Sequence, residues 1–170
     1  MFRRAALLVL GLAAQPAMAE GYFQVDMGAW HIFGAGTKCT ALNRPPLEFN
    51  MAPFNALQIR LDEKGQYELS VFFWPDAVPQ DAARIALTAA PNDTVRLKAK
   101  LIAKDIGMVT VSEPLPQEFV RSLETGARLT FLQAEVPDSK AKTGFDISAM
   151  PQVMTHLRTC AGIMARSAKK

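Results

Sequence analysis

The chain has 170 residues, 49% of them hydrophobic in type, with 19 Lys and Arg against 16 Asp and Glu, two His and two Cys. That length suits one domain, which buries on the order of two-thirds of its unfolded surface. A formal charge of +3 gives no support to a nucleic-acid partner, and two cysteines without C-x-x-C spacing give none to a compact thiolate metal or redox motif.

Met1-Phe2-Arg3-Arg4, the apolar run 5–14 and Ala17-Met18-Ala19 before Glu20 have the order of a secretory signal: basic, apolar, small-x-small. Cleavage is expected before Glu20, giving a signal peptide over 1–19, a single β-rich domain over 20–165 and a basic tail over 166–170. The flanks of the arginine pair are unlike those of a twin-arginine signal, so general export is the expectation. The apolar run falls short of the ~20 residues that cross a bilayer. No later stretch of that length is free of charge, so no transmembrane segment is expected in the mature chain. Removing residues 1–19 takes Arg3 and Arg4 but no acid, leaving 17 basic and 16 acidic residues and a charge of +1. In an oxidising compartment Cys39 and Cys160 have only each other, which favours an intramolecular disulfide over two buried free thiols.

In chain order, residues 28–34 read as a first strand, with Trp30 and Ile32 on one face and His31 and Phe33 on the other. A short extended piece follows over 38–42, and Asn43-Arg44-Pro45-Pro46 breaks it. Leu47, Phe49 and Met51 alternate, Ala52-Pro53-Phe54-Asn55 interrupts as a corner or bulge, and Leu57, Ile59 and Leu61 resume the phase. Asp62-Glu63-Lys64-Gly65 then makes a hairpin loop into the alternating Tyr67, Leu69, Val71 and Phe73. After a polar, proline-punctuated loop over 75–81, Ile85 and Leu87 mark a strand that turns at Pro91-Asn92-Asp93. In the next strand Val95, Leu97, Ala99 and Leu101 alternate with Arg96, Lys98 and Lys100, so one face is core and the other solvated. A short strand over 108–111 leads to a short helix over 117–123, stopped at Gly126. Strands are expected again over 129–136 and 144–147.

The last segment carries the clearest helical pattern. Met150, Val153, Met154, Leu157 and Ala161 recur at steps of three and four, with Cys160 beside the stripe. Ser148 is placed to cap the first amides, Pro151 falls in the first turn, and Gly162 supplies a stop. Strands about ten residues apart, joined mostly by short connections, predict a mainly β fold: an antiparallel sandwich or partly closed barrel with two short helices packed on it, with an α+β arrangement as the alternative.

The block Pro114-Leu115-Pro116-Gln117-Glu118-Phe119-Val120-Arg121-Ser122-Leu123, with Gly126, Leu129-Thr130-Phe131, Phe145-Asp146-Ile147-Ser148 and the closing helix, resembles small periplasmic proteins of the invasion-associated locus B type. Trp30 followed by Cys39 fits the same pattern. The resemblance implies a secreted bacterial β-rich domain, in a family sometimes linked to host-cell invasion. Its motifs are structural, and no functional residue is carried over.

Chemistry-bearing patterns are sparse. His31 and His156 could meet if the disulfide draws their segments together, and a third ligand such as Asp146 would then be needed for zinc; two separate histidines are the simpler reading. No G-x-S-x-G, H-E-x-x-H, P-loop or G-x-G-x-x-G motif occurs, so neither a catalytic residue nor a cofactor is assigned. Asp62 and Glu63 fall in a hairpin tip. Arg96, Lys98 and Lys100 could meet anionic lipid or polysaccharide, or form an ordinary solvated face. Met51, Met150 and Met154 lack an M-x-x-M cluster and read as core filler.

Phe72 and Trp74 face away from the committed core positions of their strand, which with Phe54 in the corner makes them the candidate partner-binding residues. The expected function is therefore a non-catalytic secreted or periplasmic binding module. Its partner would be an envelope protein or other surface component. The alternative is a periplasmic hydrolase, redox or metal-dependent enzyme with a site scattered in sequence.

Overall fold

The computed structural model describes residues 23–43, 55–89, 93–125 and 130–167. The expected signal segment, the strand around Leu47 and Phe49, Phe54, the turn at Pro91 and Asn92, Gly126, Leu129 and residues 168–170 lie outside them. The alternating segments form strands: β1 (Gln24–Met27), β2 (Trp30–Ala35), β3 (Lys38–Asn43), β4 (Ala56–Leu61), β5 (Tyr67–Phe72), β6 (Arg84–Ala89), β7 (Asp93–Ala103), β8 (Met108–Val111), β9 (Phe131–Glu135) and β10 (Lys142–Asp146). The two helices are α1 (Gln117–Thr125) and α2 (Met150–Ser167).

All ten strands join one antiparallel sheet in the order β1-β2-β3-β4-β5-β8-β7-β6-β9-β10. Its two ends, β1 and β10, do not pair with each other, so the sheet is not closed into a barrel. The eleven-residue β7 is shared between two leaves. Its first half pairs with β6, from Ala89↔Asp93 to Arg84↔Lys98, and its second half pairs with β8, from Ala99↔Val111 onward.

One core joins both leaves to both helices. Alternate positions supply it from one leaf, through Ile32, Ala41, Ile59, Leu69 and Val109, while Ile85, Leu87, Leu132 and Ala134 supply it from the other. These assignments follow the period of two along each strand. Helix α2 packs on β2, β3 and β4, and α1 packs on α2. The docking of α2 depends on a small residue, because a Cβ on Gly34 would lie 2.7 Å from Met164 Cε and 3.2 Å from Cys160 Sγ. The predicted bridge is present: Cys39 and Cys160 form a disulfide, and both are fully buried.

Two local expectations are corrected. The first strand does not begin at Gly28: the register Met27↔Trp30 leaves Gly28 and Ala29 as a two-residue turn between β1 and β2, and Gly28 takes the φ of +56° that such a turn requires. Nor does Gly162 end the last helix. α2 runs on to Ser167, because Met164 one turn further is buried in the core and tertiary packing outweighs the roughly 1 kcal/mol cost of an internal glycine. Just before α2, the Ser148 amide donates to Asp146 Oδ1 at 2.9 Å, tying Ser148 back to the end of β10.

Candidate functional site

The candidate aromatic residues sit on the outer side of the first leaf, opposite the core. Across this side the register lines up Ala56↔Phe72↔Met108. These three form a small apolar cluster of their own, against which Leu42, Ala103 and Ile106 pack. One residue pair further along, the row turns polar: Ser70 and Thr110 share a hydrogen bond of 2.8 Å. The outer side is therefore apolar only at the end of β5, as the alternation of Glu68, Ser70 and Phe72 anticipated. Phe72 is buried in the cluster, whereas Trp74, just beyond the strand, is 54% exposed. Ile102 of β7 is 59% exposed. It lies at a register shift between Leu101 and Ala103, and Ala103 packs with the cluster. Sequence reasoning passed over Ile102, although it continues the phase of the exposed Arg96, Lys98 and Lys100. Phe54 lies outside the described residues; its neighbour Asn55 has φ +53°.

At the other end of β5, an open cleft of ≈ 920 Å³ runs between the β4–β5 hairpin and α1, lined by Lys38, Arg60, Tyr67, Glu113, Leu115 and Arg121 among others. Its carboxylates are committed to structural partners. Glu68 pairs with Arg60 at 3.0 Å, and Asp62 accepts the amides of Lys64 and Gln66 at 2.9 and 2.8 Å. Glu113 accepts the amide of Lys98 at 2.6 Å. Glu124 of α1 pairs with Arg158 of α2 and accepts the Tyr67 hydroxyl at 3.4 Å. Burial pushes the Tyr67 hydroxyl above its ordinary pKa, with the Arg158 hydrogen bond opposing that shift, while the Glu124 hydrogen bond raises Arg158. These three side chains tie β5, α1 and α2 together.

The histidines are not brought together. His31 shares β2 with Trp30 and Ile32 but points away from the buried side they face, and its Nδ1 meets the Asp26 carboxylate. His156 belongs to α2, which packs on that buried side, so the sheet stands between the two rings. Asp146 ends β10 and is held by Ser148. Among the described residues, no group of three or more His, Cys, Asp or Glu is placed to hold a metal ion. Arg96, Lys98 and Lys100 are exposed, as alternation predicts, and pairing adds the exposed Arg84 opposite Lys98.

The geometry defines a mainly β domain: an open ten-stranded antiparallel sheet carrying two helices and closed on itself by one disulfide. Among solved structures, the crystal structure of invasion associated protein B from Bartonella henselae is similar to it, with a TM-score of 0.59 and 12% sequence identity over 81% of this chain and 96% of that one. At that identity the likeness is one of fold, and it agrees with the resemblance read from residues 114–131 and 145–148. No protein-family model matches the chain, and no curated protein matches it. Among the described residues, no helix is long and apolar enough to cross a membrane.

Proposed function

We propose that this protein is a non-catalytic binding module of the periplasm or the secreted fraction, which meets an envelope component at the outer end of β5. The observation that carries this reading is the 54% exposure of Trp74 at the margin of the Ala56–Phe72–Met108 cluster. Large aromatic side chains with little conformational freedom dominate binding hot spots. The order of residues 1–20 and a bridge of a kind that persists where conditions are oxidising support this choice of compartment.

Site-specific photo-crosslinking in exporting cells tests the assignment. A photoreactive residue placed at Trp74 or Ile102 should give a discrete adduct containing an envelope component, while the same probe at Glu63, on the hairpin at the far end of β5, should not. An adduct from Glu63 alone, or none from Trp74 and Ile102, would refute this placement.

A further inference from the structure

Building on the reading of Trp74 as an attachment point, we propose that the envelope component it meets is an anionic lipid surface, held by a basic stripe on β7 while Ile102 and Trp74 enter the lipid interface. Arg96, Lys98 and Lys100 are all exposed on one face of β7, spaced about 6.6 Å apart by strand geometry. The register sets Arg84 directly opposite Lys98. Because the Ala99 amide donates to the Ala83 carbonyl at 2.9 Å, Arg84 and Lys98 fall in the adjacent non-hydrogen-bonded position, where side chains approach most closely. Two cations placed there repel each other.

Among the described residues, no ion pair relieves that repulsion. The ion pairs of the described residues are His31 with Asp26, Arg60 with Glu68, Lys142 with Glu135 and Arg158 with Glu124, and none uses the four cations of this face. Glu113 reaches the Lys98 backbone amide, and Asp105 sits beside Lys104 in the turn after β7. An anion supplied from outside would offset the like-charge pairing, and several are needed to match the stripe.

The stripe then runs into apolar residues. Ile102 continues the alternation of Arg96, Lys98 and Lys100 and is exposed. The Phe73 amide donates to the Gly107 carbonyl at 3.0 Å, extending the pairing Phe72↔Met108 by one step, and the exposed Trp74 follows immediately. A soluble polyanion would engage the cations but gives no role to an exposed Ile and Trp beside them. A lipid surface engages both, since phosphates meet the cations and tryptophan favours the headgroup boundary. Each basic residue near an anionic membrane strengthens attachment by roughly fivefold.

The test is flotation of the exported chain with vesicles of phosphatidylglycerol and phosphatidylcholine, against vesicles of phosphatidylcholine alone. Binding to the anionic vesicles should be at least about tenfold tighter and should weaken as salt is raised. Tryptophan emission should shift to the blue on binding, reporting Trp74, because Trp30 is already 3% exposed and shielded. The double variant Arg96→Glu/Lys100→Glu should lose at least about tenfold in binding, and Trp74→Ala should lose the spectral shift. Both variants alter exposed side chains, and an unchanged melting temperature with the disulfide intact confirms their fold.

Equal binding to neutral vesicles, full binding by the charge-reversed variant, or binding of inorganic polyphosphate without any binding of vesicles would each overturn the lipid assignment. If the crosslink from position 74 persists under those outcomes, the binding-module reading stands and only its occupant is wrong.

Discussion

Cys39 and Cys160, 121 residues apart in sequence, are joined with their Cα atoms 6.0 Å apart, where β3 meets the inner face of α2. The bridge ties the helix at the end of the described chain to a strand near its start, closing a loop that the chain-entropy model values at about 4–5 kcal/mol. Cys160→Ser is expected to lower the urea-unfolding free energy by about 3–5 kcal/mol while the β-type circular dichroism persists, because strand facing is set by alternation. Intact mass before and after reduction and alkylation checks the premise, and two freely alkylated thiols in native protein would contradict the bond.

Gly107 is predicted to be the least replaceable glycine of the turns. It has φ +59°, and a Cβ there would lie 2.2 Å from the Phe73 carbonyl oxygen, a backbone atom that accepts no easy displacement. Gly65 has φ +75° but nothing within 4 Å of its Cβ position. Gly65→Ala should therefore cost only the left-handed strain of about 1–2 kcal/mol, whereas Gly107→Ala adds overpacking and should cost about 2–4 kcal/mol. Chemical denaturation of the two variants side by side decides it; equal losses would show that the β5–β8 junction can open.

A third prediction concerns acid. The Ser148 amide donates to the Asp146 carboxylate and holds it below the usual carboxylate range. A depressed folded pKa contributes stability that is fully present above the unfolded value of about 3.9 and is lost as pH falls through the folded value. Asp146→Asn keeps an accepting oxygen but removes the charge. Its melting temperature should lie below that of the parent near neutrality and converge on it in acid. A gap that is constant through the acid range would mean the carboxylate charge plays no part.

Most of the architecture is legible where one side of a strand is wet and the other dry. Tyr67, Leu69, Val71 and Phe73 declare their facing by alternation, and Cys39 finds Cys160 by elimination in a chain that holds two cysteines. The failures occur where tertiary contact decides. Gly162 carries a stop signal that α2 overrides because Met164 has Gly34 to pack against. Gly28 reads as part of a strand until the partner β1, polar at Gln24 and Asp26, shows it to be a turn. The Tyr67–Glu124–Arg158 cluster joins three elements distant in sequence, and no local spacing announces it. Phe72 and Trp74 share a direction along the strand, but only the cluster with Ala56 and Met108 separates the buried ring from the exposed one.

That separation yields the last prediction. Phe72 is 5% exposed and Trp74 54%, although the two are neighbours on one side of the same extended segment. Truncating a buried aromatic removes its transfer free energy and leaves a cavity, so Phe72→Ala should cost about 3–5 kcal/mol. Trp74→Ala touches a half-wet ring and should stay within about 1 kcal/mol of the parent. The same variant isolates Trp30, which is buried, so the remaining emission should be blue-shifted relative to the parent and resistant to a soluble quencher. Emission from Trp74→Ala that stays red-shifted, or a stability loss as large as that of Phe72→Ala, would place the Trp74 ring in the core and remove it as an attachment point.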